Sequence, residues 1–140
     1  MMHTEHLHNV RIGYVLAGWL IAIAASSLFL VAFIGIGVLN PDAPGSAWIT
    51  LAVALGFVAG GTFVGFLTGL APILHGILIA LTSLVAWALL NAVVSMFFPD
   101  FRWTQLSAPL TVNIIIIQVV CAILGTRFGY RYAVARTESS

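Results

Sequence analysis

The chain has 140 residues, of which 61% are hydrophobic and only 6% are charged, and its formal net charge is +1. Soluble domains carry about 25% charged residues, so this composition indicates a protein whose solvent is lipid. A net charge of +1 excludes the basic surface that nucleic-acid binding needs, and we expect no nucleic-acid partner. Cys121 is the single cysteine, which excludes an intrachain disulfide.

Four segments are apolar and long enough to cross a bilayer, which takes about 20 residues. Proline- and glycine-containing turns separate them, and the shortest turn, Gly69-Leu-Ala-Pro72, predicts a very tight helical hairpin of spans two and three. The sequence predicts an all-α integral membrane four-helix bundle over 12–130, with tails at 1–11 and 131–140. The spans are predicted at 12–38, 47–70, 73–98 and 107–129.

Arginine positions predict how the bundle is oriented. An even number of spans puts both termini on one side. That side holds four arginines, whereas the opposite side holds only Arg102; the four are Arg11, Arg127, Arg131 and Arg136. Because basic residues accumulate in cytoplasmic segments, we expect both tails in the cytoplasm and the spans in a bacterial plasma membrane. A signal peptide is the alternative for the first segment, whose apolar run far exceeds a signal's roughly 7–15-residue core.

Span two is unusually rich in glycine. With about 3.6 residues per turn, Gly56 and Gly60 share one face, and Gly61, Gly65 and Gly69 share a roughly opposite face. In water each glycine weakens a helix by about 1 kcal/mol, but in lipid small residues let helices approach closely. We therefore predict that span two lies at the centre of the bundle. The helix-packing glycines expected in the other spans are Gly18, Gly76, Gly125 and Gly129.

His75, at the start of span three, has two interpretations. It is either a proton site or a ligand of haem or chlorophyll, with Gly76 leaving room for a flat ring, or a structural histidine that hydrogen-bonds the tight hairpin. Asn91 and Gln118 either link helices or, with His75, line the path of a small passive channel or transporter. Because ion pathways usually contain a charged residue within the membrane, and none lies in mid-span, we favour the structural roles.

Catalysis and metal binding have little support in the sequence. It contains no Gly-x-Ser-x-Gly, His-Glu-x-x-His or Walker motif, and we expect no catalytic residue, cofactor or metal site. His3, Glu5, His6 and His8 are residue types that ligate transition metals, but their spacing matches no strong signature. The predicted function is that of a non-catalytic structural or accessory subunit. It would associate through glycine-rich helix faces, as a homo-oligomer or within a larger membrane complex.

The stretch from Gly56 to Ala80, with its glycine-rich span followed by His75-Gly76, resembles the YrzE-like proteins, and Val15-Leu-Ala-Gly18 adds a looser match. These are small four-span bacterial membrane proteins of unknown function, with a Gly-Gly-x-x-Ala-Gly-type second span and a His-Gly start to the third. The resemblance implies the four-span fold and no particular activity. This chain lacks the basic residue that the family tends to place between spans two and three.

Overall fold

The computed structural model describes residues 6–39, 46–98 and 108–138. After a short 3-10 helix (Leu7–Asn9), these residues form the helices α1 (Ile12–Gly35), α2 (Ser46–Thr68), α3 (Pro72–Phe97) and α4 (Ala108–Glu138). Each α-helix is long and apolar enough to cross a membrane, which confirms the prediction of an all-α chain with four such helices. The turns predicted around 40–45 and 99–107, as well as His3 and Glu5, lie outside the described residues.

Two helix ends differ from the predicted span ends. α1 ends at Gly35 rather than near Val38, because the chain turns at Gly37, whose φ is +75° and which is therefore in the left-handed conformation common at helix ends. α4 continues past residue 129 to Glu138. Hydrophobicity marks only the apolar part of α4, whereas the segment after Gly129 has no glycine or proline to stop the helix.

α2 lies between α1 and α4, which are its two main partners. On the α1 side, a methyl group added at Gly56 would overlap the main chain of Ala22 and Ser26. One added at Gly60 would overlap the carbonyl oxygen of Gly18. Residue numbers increase along α2 while those of the facing residues of α1 decrease, so the two helices run antiparallel. Their main chains are in direct contact.

On its other side, α2 meets the main chain of α4. A Cβ added at Gly61 would lie 2.5 Å from the carbonyl oxygen of Ala122, and one added at Gly65 would overlap the main chain of Thr126. Here the numbers rise together on both helices, so α2 and α4 are parallel. The hydrogen atoms that stand in place of Cβ point at main-chain oxygens, the geometry of weak Cα–H···O contacts.

α4 returns the same contact toward α2. A methyl group at Gly125 would overlap the carbonyl oxygen of Val58, and one at Gly129 would overlap that of Thr62. Each helix therefore presents two glycines four residues apart to the main chain of the other. We call this reciprocal arrangement of Gly61, Gly65, Gly125 and Gly129 the α2–α4 glycine contact.

The turn between α2 and α3 is as short as predicted, but Gly69 and the packing of α3 differ from expectation. Gly69 does not extend the packing face of α2, because it lies beyond the helix end with φ +57° and has nothing within 4 Å of an added Cβ. Its role is to end the helix in the left-handed conformation. α2 and α3 make few contacts with each other, since α3 packs mainly on α4, where Gly76 lies against the main chain of Ile123.

Replacement of glycine by alanine is predicted to act differently inside and outside the α2–α4 glycine contact. Alanine favours a helix over glycine by up to about 1 kcal/mol, so Gly13→Ala, where an added Cβ meets open space, is expected to be neutral or stabilising. Gly65→Ala forces the main chains of α2 and α4 apart, and we expect a loss of about 1–3 kcal/mol, the usual cost of overpacking. Unfolding titrations with SDS in mixed micelles measure both values. Equal stability of the two variants would contradict the geometry.

Candidate functional site

His75 is fully buried and joins three parts of the chain. It lies in the first turn of α3, where its Nδ1 is 2.9 Å from the carbonyl oxygen of Ala71. The main-chain N–H of Arg11, just before α1, donates to its Nε2 at 3.2 Å. With Nε2 accepting, Nδ1 is the ring nitrogen placed to donate to the carbonyl oxygen of Ala71. His75 therefore ties the beginning of α1 to the turn between α2 and α3.

This geometry matches the structural interpretation of His75 and argues against a role as a ligand of haem or chlorophyll. Both ring nitrogens are already hydrogen-bonded, so binding a haem or chlorophyll would sacrifice one of these bonds. The space beside Gly76, which was expected to admit a flat ring, is instead occupied by Ile123 and the hydroxyl of Thr126. The residues around His75 do not fit a planar cofactor.

Replacing His75 tests this tie. His75→Leu replaces the imidazole by an apolar side chain of similar size and removes both of its hydrogen bonds, and the loss of two such bonds costs about 1–3 kcal/mol. We expect a loss of stability in that range in the same SDS titration. His8→Leu, in the exposed 3-10 helix, is the matched control and should leave stability unchanged. Equal behaviour of the two variants would show that His75 does not join these segments.

Thr126, which sequence reasoning did not single out, is a second buried polar residue at a junction. Its hydroxyl donates to the carbonyl oxygens of Ala122 and Ile123, each at 3.0 Å, within its own helix. Gly65 lies against its main chain and Gly76 against its hydroxyl. Thr126 thus marks the place where α2, α3 and α4 meet. The sequence signal that could have identified Thr126 is its spacing of four from Ala122, which places two small residues on one face of the helix.

A cavity of about 560 Å³ separates α1, α3 and α4 in the half of the bundle away from the termini. It opens where α3 loses contact with its neighbours: Ile79 is fully buried, whereas Leu84 and Trp87 are exposed. We call it the α1–α3–α4 cavity. Its wall is mainly isoleucine, leucine and tryptophan, and its polar residues include Ser83 and Gln118.

The three residues predicted to form a polar path lie in three different environments. Gln118 lines the α1–α3–α4 cavity. His75 is buried at the opposite end of the bundle, and the Asn91 amide donates to the carbonyl oxygen of Trp87 at 2.8 Å, within α3. This arrangement does not support the channel or transporter interpretation, because His75 is fully buried with both ring nitrogens in hydrogen bonds and the Asn91 amide bonds within its own helix.

Within the described part of the chain, no group of three or more His, Cys, Asp or Glu residues could hold a metal ion. The rings of His6 and His8 stack on each other, with their centroids 5.5 Å apart.

Comparison with protein-family models, with curated proteins and with solved structures found no match to this chain.

Proposed function

We propose that this chain is a non-catalytic integral membrane protein that acts as a structural or accessory subunit, packed against a second copy or another membrane protein. The four long apolar helices support membrane insertion. The buried polar side chains support a structural role, because those of Ser26, His75 and Thr126 all bond to the main chain. We further propose membership of the YrzE-like group, on the residues that resemble it.

The glycine faces are not the surface for this association. The two glycine faces of α2 lie against α1 and α4, and Gly76, Gly125 and Gly129 lie against helices of the same chain. The expectation that glycine-rich faces bind a partner is therefore replaced by one in which they close the bundle itself.

The observation that carries the proposal is a stripe of small residues on the outer side of α3, away from the glycine faces. Ala88, Ala92 and Ser95 are all exposed, and their spacing of four and three places them on one side of the helix. Small residues at this spacing are typical of helix–helix interfaces in membranes, where close packing rather than hydrophobicity drives association. We infer that this stripe is the association face, and we call it the α3 outer stripe.

Substitution within the α3 outer stripe tests the proposal. Native mass spectrometry of the protein in lipid nanodiscs should show a complex of two copies, or of one copy with another membrane protein when prepared from native membranes. The double variant Ala88→Leu and Ala92→Leu should remove this complex because larger side chains hold the helices apart.

Ala24→Leu, at an exposed alanine of α1, is the matched control and should leave the complex intact. A wild-type protein that is monomeric in both preparations, or a double variant that still associates, would refute the proposed face.

We also propose that both termini are cytoplasmic and that the membrane is a bacterial plasma membrane. The basic residues Arg11, Arg127, Arg131 and Arg136 are all exposed. The bond between Arg11 and His75, with the ring contact of Phe66 and Tyr132 at 6.0 Å, places the start of α1 and the last turns of α4 at one end of the bundle. Arginines at one end favour the cytoplasmic side for that end.

Cysteine labelling in intact cells tests the orientation. In a Cys121→Ser background, a membrane-impermeant maleimide should label Phe98→Cys, at the exposed end of α3, and not Thr137→Cys, near the end of α4. Opening the cells should make Thr137→Cys reactive, which controls for its accessibility. The reverse pattern in intact cells would show that the termini lie outside.

A further inference from the structure

We propose that the α1–α3–α4 cavity binds a neutral, mainly apolar molecule that carries a hydrogen-bond-accepting oxygen. A volume of about 560 Å³ lies within the roughly 300–1,000 Å³ of small-molecule sites in proteins. The wall is mainly apolar, and its few polar residues cannot hydrate a volume of this size, because each buried water needs two to four polar partners. An apolar molecule of small-ligand size is therefore the occupant that fits.

The hydrogen-bond donors of the residues that line the cavity differ in whether a molecule in the cavity can reach them. Trp19 lines the cavity with its ring, whereas its indole Nε1 is fully buried and is therefore not open to a molecule in the cavity. Ser83 also lines it and is 8% exposed, with no hydrogen bond recorded to a described residue. Leaving a buried donor unpaired is costly, so a molecule in the cavity that offers an acceptor to the Ser83 hydroxyl is favoured.

Other hydroxyls in these helices show that Ser83 is different. The hydroxyl of Ser26 donates to Ala22 at 2.7 Å, and that of Thr82 donates to Leu78 at 2.8 Å, each to a carbonyl oxygen one turn earlier. This is the usual way in which serine and threonine satisfy themselves within a helix. The Ser83 hydroxyl is thus available to a molecule in the cavity, as is the amide of Gln118, which supplies a further donor.

The remaining wall defines the charge and shape of the ligand. No charged side chain is among the described residues that line the cavity, so a charged molecule would lose its hydration without gaining an ion pair. Two indoles, of Trp19 and Trp87, contribute to the wall and offer flat surfaces for stacking. The shared ligand chemistry is an apolar body with a carbonyl oxygen, supplied by the acyl ester of a bilayer phospholipid or by a separate lipophilic ring compound such as a quinone.

The site is separate from the proposed association face. Ser83, Trp87 and Leu90 line the cavity, whereas Ala88 and Ala92 lie roughly 150° away around the same helix at 3.6 residues per turn, with Leu84 at the edge between the two surfaces. The inference shares with the proposed function only the membrane location, so loss of ligand binding and loss of association are distinguishable.

Tryptophan fluorescence in nanodiscs tests the proposal with a decyl-substituted benzoquinone as the probe. Replacing Trp48 and Trp103 by phenylalanine leaves Trp19 and Trp87, which both line the cavity, as reporters of quenching by the quinone. We expect quenching that saturates with the quinone-to-lipid ratio. Decylbenzene, which has no acceptor oxygen, should compete only weakly.

Three variants locate the binding. Ala86→Phe fills the cavity and should abolish the saturable quenching, whereas Ala24→Phe, at an exposed alanine outside it, should not. Ser83→Ala and Gln118→Leu should each weaken binding about 3- to 10-fold, as expected for one lost hydrogen bond. If Ala86→Phe does not fold, the weaker binding expected of Ser83→Ala and Gln118→Leu tests the site instead.

Nanodiscs of diether phospholipids, which lack acyl carbonyls, distinguish the two sources. Tighter quinone binding there than in diester lipid identifies the phospholipid ester as the competing natural occupant, and unchanged binding identifies a separate small molecule. Both results support the site. Quenching that never saturates, saturable binding that Ala86→Phe leaves intact, or equal competition by decylbenzene would overturn the proposal.

Discussion

The fold depends on the approach of two main chains in the α2–α4 glycine contact. Without a hydrophobic force between helices in lipid, stability comes from packing and from weak polar contacts, and both increase as the backbones come closer. Gly61 and Gly65 of α2, with Gly125 and Gly129 of α4, remove the side chains that would prevent this approach. Since α1 packs on the other glycine face of α2, helices α1, α2 and α4 form a tight core.

The position of α3 follows from this core. At its first turns, α3 is tied to the core by His75 and by the contact of Gly76 with α4. Beyond Ser83 it has larger side chains and no glycine, so it cannot follow the core as closely. The separation leaves the α1–α3–α4 cavity on one side of α3 and the exposed α3 outer stripe on the other. The cavity thus arises from a mismatch in side-chain size between α3 and the core.

The sequence predicted the four helices because their apolar length has few alternative explanations, and the glycine spacing placed α2 between two neighbours. It did not predict that Gly69 ends α2, because a face drawn on an ideal helix assumes that the helix continues. Nor did it find the cavity, since a cavity depends on how side chains such as Trp19 and Trp87 meet across helices. The identity of the donor to His75, the main-chain N–H of Arg11, likewise has no sequence signal.

The most direct measurement of the central claim is solid-state NMR of the protein in lipid bilayers, with ¹³C-labelled glycine and threonine. The close approach of α2 and α4 predicts a strong cross peak between the Cα of Gly65 and the carbonyl carbon of Thr126, because no side chain separates these two residues. If that cross peak is absent and Gly65 instead correlates with lipid acyl chains, α2 and α4 are not joined through their glycines and the account is wrong.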